Sequence, residues 1–271
     1  ARRGMAQSYF AQGAALLDDG RPGASLLAYL AGQTHQRRMS RWALGQAEQR
    51  VLAQTDLSIA LSVPEHAPAI GVGSEALLAE LLTQRRPNYF TNTDTPRYLV
   101  NVAITNTDIT LRRIRTPGAS YLYPEGYATS VSQWEKRGTL ACTITLSDRE
   151  TGEVIHRWSA SRWVTFSDTQ QYVIGSTWRQ SYWTLPTDDA VAARLARDMA
   201  EAVWPDVIDR LALDRARELR DRAASPSLED SPESLLELRV AATLLAGQVN
   251  EREGEQALRA MAREFAGEAV E

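Results

Sequence analysis

Four apolar side chains at every second position, Leu140, Cys142, Ile144 and Leu146, constrain the fold of this chain more than any other feature. Ala141, Thr143, Thr145 and Ser147 stand between them. A period of two puts alternate residues on opposite sides of a strand, so one side is buried and the other is not. The stretch SDRETGE follows, with Gly152 available for the positive φ of a tight turn. A second run then places Val154, His156, Trp158 and Ala160 in alternation with Ile155, Arg157 and Ser159. Residues 138–166 therefore predict a β-hairpin. Trp163 has the opposite parity to Trp158. Either the two indoles face opposite ways, or a bulge near Ser159–Ser161 resets the register.

Helical patterns surround this hairpin. MAQSYFAQGAALLDDG carries small and apolar residues at helical spacing and stops at Asp19-Gly20. RPGASLLAYLAGQ restarts the pattern with Pro22 near the new start. The pair resembles a single tetratricopeptide unit, too little for a solenoid. MSRWALGQAEQRVLAQ continues the helical region. From Asp56 the texture changes to a short β-like run, DLSIALSV, and a loop, PEHAPAIGVG. SEALLAELLTQRR follows as a helix, with Ser74 as the expected N-cap and Leu77, Leu78, Leu81 and Leu82 as its apolar stripe. RYLVNVAITNTDITLRRIR reads as a long strand. After the hairpin, TDDAVAARLARDMAEAVWPDVIDRLA has a cap at Thr187 or Asp188 and acidic residues in its first turn, with Pro205 expected to kink or divide it. ASPSLEDSPES is a polar linker, and LLELRVAATLLAGQVNEREGEQALRAMAREFAG is a second helix hairpin.

The expected class is α+β, a mixed β-sheet core with helices on one face, flanked by N- and C-terminal helical hairpins. The expected division is a helical region over 1–55, an α+β core over 56–222, and a linker with a helical hairpin over 223–271. A chain of 271 residues can bury such a core without staples, and Cys142, the single cysteine, allows no internal disulfide. The formal net charge of −4 gives no overall basic footprint for nucleic acid. No run of apolar residues is long enough for a transmembrane helix. Ala1 stands where an initiator Met would, which suggests processing or trimming.

Chemistry is sparse. The three histidines, His35, His66 and His156, form no metal-ligand spacing, so neither a metal nor a cofactor is expected. Gly71 and Gly73 precede a helix but lack the rest of a phosphate loop. Glu65 beside His66 is the best acid/base pair by composition, and with Asp148 it supports one alternative, a hydrolase or transferase with a dispersed active site. No residue is assigned a catalytic role in the main reading. The aromatic residues say more. Trp158, Trp163, Tyr172, Trp178 and Trp183 are the candidate partner-binding residues, because Trp and Tyr are favoured at protein interfaces.

The order DLSIALSV, SEALLAELLTQ, RYLVNVAITNTDI, TLSDRETGEVI and DDAVAARLARDMAEAV resembles a group of bacterial envelope lipoproteins that includes the curli-secretion protein CsgG and the penicillin-binding-protein activator LpoB, with an anticodon-binding-domain-like core. The resemblance spans about Asp56 to Leu213. It implies helices covering one sheet face and a TGE hairpin joining two strands. It further implies a periplasmic or outer-membrane-associated, non-enzymatic binding or scaffold protein of an envelope machine such as a secretion complex. Its partners would be envelope proteins, with self-assembly into a homo-oligomer as a further mode. The sequence shows no long amphipathic hairpins like those with which CsgG builds its barrel, so a pore is not expected.

Overall fold

The computed structural model describes residues 2–35, 41–87, 90–91, 93–115, 121–122, 128–174, 184–227 and 230–268. Three helices open the chain: α1 (Arg2–Asp18), α2 (Pro22–His35) and α3 (Arg41–Ala53). The core follows as β1 (Ile59–Ser62), α4 (Ser74–Thr83), β2 (Tyr98–Arg115), β3 (Tyr121–Leu122), β4 (Ala128–Asp148), β5 (Val154–Ile174) and α5 (Asp188–Ala224). A hairpin of α6 (Pro232–Val249) and α7 (Glu251–Glu268) closes the chain. This is an α+β fold with a mixed sheet.

β1 runs parallel to β2, while β2 and β5 flank β4 antiparallel. The two-residue β3 pairs with Ala128 and Thr129 of β4, beyond the reach of β2. β4 and β5 each hold 21 residues, a length of about 70 Å. The predicted hairpin is thus longer at both ends than its apolar pattern marks. Its turn is closed by Asp148, whose Oδ1 accepts from the backbone N–H groups of Glu150 (2.8 Å) and Thr151 (3.0 Å), and by Gly152 at φ +71°.

Leu140, Cys142, Ile144 and Leu146 are all buried, as their alternation predicts. They meet Val191, Leu195, Met199 and Val203 of α5 in one continuous core that also takes in Leu77 and Leu81 of α4 and Tyr98, Val100 and Val102 of β2. α4 departs from the sequence reading in two details. Gly73 is the N-cap, and the Ser74 hydroxyl donates instead to the Pro64 carbonyl. Leu82 lies on the solvent side, 59% exposed. Pro205 does not divide α5. It sits on the exposed side of the helix, where the carbonyl it leaves unbonded at Glu201 can turn to water.

α5 begins where the sheet is pinned to it. Thr187 caps the helix, its side chain accepting from Ala190 N–H at 3.2 Å. Lys136, the sole lysine, is buried beneath this end, donating to the Pro186 carbonyl at 2.7 Å and ion-paired with Asp188. At the other end of the sheet, the Arg97 Nη2 donates to both oxygens of Glu218 at 2.8 Å. Arg215 pairs with the same carboxylate at 2.7 Å and donates to the Thr55 carbonyl at 2.7 Å, which ties α5 to the segment linking α3 and β1.

The terminal hairpins pack on each other. Small residues let the N-terminal pair close: a Cβ on Gly13 would meet the Tyr29 ring at 2.6 Å, and one on Gly32 would run into the Phe10 ring. Glu237 of α6 accepts from the Ala24 N–H at 2.9 Å and from Gly23, supplying the start of α2 with acceptors.

Candidate partner-binding face

The register through β5 settles the two indoles. Ile144 pairs with Trp158, Cys142 with Ala160, and Thr139 with Trp163, with no irregularity between them. The bulge lies earlier, at Ile155, between the pairs Leu146–His156 and Ser147–Val154. Trp158 and Trp163 therefore face opposite ways. Trp158 packs against the core beneath α5, with the Arg210 guanidinium 4.6 Å from its ring centre. Trp163 projects from the other side of the sheet, 65% exposed, with Arg137 5.9 Å from its ring.

That other side is bare. From Arg137 to Thr145 and from Arg157 to Ser167, none of the alternate residues sharing this face with Trp163 is buried. They are Arg137, Thr139, Ala141, Thr143 and Thr145 on β4, and Arg157, Ser159, Ser161, Thr165 and Ser167 on β5. On β2, Arg112 pairs with Glu135 of this face at 2.6 Å. Small hydroxyl side chains make the face flat. The free edge of β5 borders it, and among the described residues no strand pairs with that edge.

Tyr172 lies in β5, paired through its backbone with Ser130. Trp178 and Trp183 fall outside the described residues. The five aromatic residues are thus not gathered on one described surface: Trp158 and Trp163 are divided by the sheet. Trp42, absent from that set, is the more exposed indole at 71%. It opens α3, on the stripe that continues through Gly45, Gln49 and Leu52 into a cleft of about 460 Å³ walled by Arg85, Arg86, Pro87 and Gln248. Its helical spacing from those residues was the one available signal.

The dispersed acid/base set does not converge. Glu65 and His66 follow the C-terminal end of β1, whereas Asp148 pairs with Tyr98, level with the start of β1. β1 spans Ile59–Ser62, so the pair and Asp148 lie toward opposite ends of it. Glu65 is exposed, and the His66 carbonyl accepts from Ser74 N–H. Asp148 serves its turn: the backbone N–H groups of Thr151 and Glu150, with Arg97 at 3.7 Å, hold its carboxyl below the usual carboxylate range. A low pKa and a filled hydrogen-bond shell suit a turn cap better than a general base. Among the described residues no helix is long and apolar enough to cross a membrane.

No protein-family model matches this sequence, and no curated protein matches it. Solved structures that align with it include a candidate lipoprotein from Caulobacter crescentus CB15, 16% identical, with a TM-score of 0.31 over 62% of this chain and 97% of that one. A minor lipoprotein from Acinetobacter baumannii is 14% identical, with a TM-score of 0.24 over 55% of this chain and 87% of its own. Rare lipoprotein B from Shewanella oneidensis is 10% identical, with a TM-score of 0.24 over 55% and 92%. All three are described as bacterial lipoproteins, and none is named as CsgG or LpoB. Superpositions this loose carry neither fold nor role across.

Proposed function

We propose that this chain is a non-enzymatic binding or scaffold protein of a bacterial envelope machine, periplasmic or outer-membrane-associated, working through protein–protein contacts and self-assembly. The observation that carries the reading is the bare sheet face with Trp163 at its middle and the unpaired β5 edge beside it. A sheet of this length leaves an edge that natural proteins shorten, cover or use. An exposed indole on a flat surface is the kind of anchor that interfaces are built around. The envelope address rests on the resemblance carried by the TGE hairpin and its flanking elements. Within this proposal, 56–222 is the binding core, and the helical regions 1–55 and 223–271 add a surface for self-association.

Site-specific photo-crosslinking in the native cells tests this. A crosslinker replacing Ser161 on the bare face is compared with one replacing Glu201 on the solvent side of α5, both exposed. The reading expects discrete envelope-protein or self-crosslinks from position 161 and none of the same bands from 201. Adducts only to soluble metabolic enzymes, or identical bands from both positions, would sink it.

A further inference from the structure

Two arginines give the bare face a sign. Arg157 on β5 and Arg137 on β4 both stand exposed on it, Arg137 beside Trp163, whereas Arg162 and Arg210 lie on the α5 side of the sheet with Trp158. Among the described residues Arg137, Arg157 and Arg162 have no carboxylate partner, although the chain as a whole is acidic. Arg162 Nη1 donates to the carbonyl of Ser161, its neighbour, at 2.8 Å. From His156 to Ser167 the strand contains no acidic residue.

Among the described residues, an unpaired backbone edge, an exposed indole and two guanidiniums without a carboxylate partner meet on β5 and the strand beside it. We infer that β5 accepts an extended, acidic segment of a partner protein as an added strand. The free N–H and C=O groups of β5 would supply the ladder. Alternate side chains of the added strand would then fall over the bare face, where acidic ones meet Arg157 and Arg137 and an apolar one meets Trp163. Phosphate-bearing surfaces also attract arginine, but they do not use a free strand edge. This inference rests on the scaffold reading of the same face and names the chemistry of its partner.

The test uses the full chain and three labelled ten-residue peptides followed by fluorescence anisotropy. The first alternates Glu with Val and Thr, the second replaces each Glu by Lys, and the third is the acidic peptide N-methylated at alternate residues, so that it keeps its charge but cannot complete a ladder. The acidic peptide is expected to bind at least about tenfold tighter than either of the others. The variant R137E/R157E, changed only at exposed positions of the bare face, should lose about tenfold in affinity for it while keeping the parent's unfolding midpoint. Equal affinity for the Lys or N-methylated peptide overturns the inference. So does preference for phosphatidylglycerol vesicles over the acidic peptide, or no binding of the acidic peptide at millimolar concentration. If crosslinks from position 161 persist alongside such a result, the scaffold reading stands and only the acidic-strand partner falls.

Discussion

A Cβ placed on Gly138 would stand 2.6 Å from Cγ1 of Val191, closer than two carbon atoms can rest. Leu195 Cδ1 lies 2.8 Å from the same point. The missing side chain is what lets the first turns of α5 lie against the middle of β4. The obstructing atoms are side-chain tips, so one methyl can be partly absorbed. We expect Gly138→Ala to change stability by no more than about 1 kcal/mol, and Gly138→Leu to lower it by about 2–3 kcal/mol through overpacking. Urea unfolding of the two variants checks this. Equal midpoints for both would mean that α5 does not sit against this strand.

Trp158 and Trp163 give a matched pair on the two faces of one strand. Trp158 is packed beneath α5, and its replacement by Ala removes apolar contact and leaves a gap, a loss of about 2 kcal/mol for a half-buried ring. Trp163 contacts little besides Arg137, so Trp163→Ala should change stability by at most about 0.5–1 kcal/mol. The same two variants should rank oppositely in the crosslinking experiment, with Trp163→Ala losing partner adducts at an unchanged unfolding midpoint. Midpoints that fall together would place both indoles in the core.

Glu237 caps a helix that lies 213 residues earlier in the chain, accepting from Ala24 N–H and its neighbour Gly23. A carboxylate on the first N–H groups of a helix satisfies orphan donors and complements the dipole. Glu237→Ala should therefore lower stability by about 1–2 kcal/mol. The local signature is faster amide exchange at Gly23, Ala24 and Ser25, with the β4 amides unaffected relative to global unfolding. Protection of the α2 start equal to the parent would show that another group fills the role.

The sequence made the sheet legible because one face of it is buried. Leu140 through Leu146 declare their alternation, and every one of them is inside. The same logic located α4 and the first half of α5, whose apolar stripes face that sheet. It failed where no burial imposes a period. The outer reaches of β4 and β5, such as Ser167–Ile174, lie past the start of α5 and carry polar residues on either parity, so nothing marked them as strand. Ser74 looked like a cap because cap preference is local, while its hydroxyl was taken by Pro64, ten residues earlier. For the candidate face, aromatic content pointed to β5 but could not say which indole faces out. That depended on a bulge at Ile155, rather than at Ser159–Ser161, which no composition encodes.

Two carboxylates on neighbouring turns of α5 should respond to pH in opposite senses. Burial alone would raise the Glu218 carboxyl, but hydrogen bonds and charge from Arg215 and Arg97 outweigh it and hold the group below its ordinary value. A lowered carboxyl favours the fold above the unfolded-state pKa, and that contribution disappears as pH falls through the folded-state value. Asp214 is the reverse: burial raises it, with His156 as the main charge opposing the rise. In its case the folded state holds the proton more tightly, so stability is lost as pH climbs from the unfolded-state pKa through the raised one. Glu218→Gln should accordingly lower stability at pH 7 by about 1 kcal/mol once solvent screening at this half-exposed site is allowed for, and its deficit should shrink toward pH 3. Asp214→Asn should raise the midpoint at pH 7, with the gain fading as pH drops into the ordinary carboxylate range. Thermal unfolding of both variants and the parent from pH 3 to pH 8 decides the matter. Curves for the two variants that shift in the same direction at pH 7 would mean that the Arg97–Glu218–Arg215 bridge does not set the charge balance at the base of the sheet.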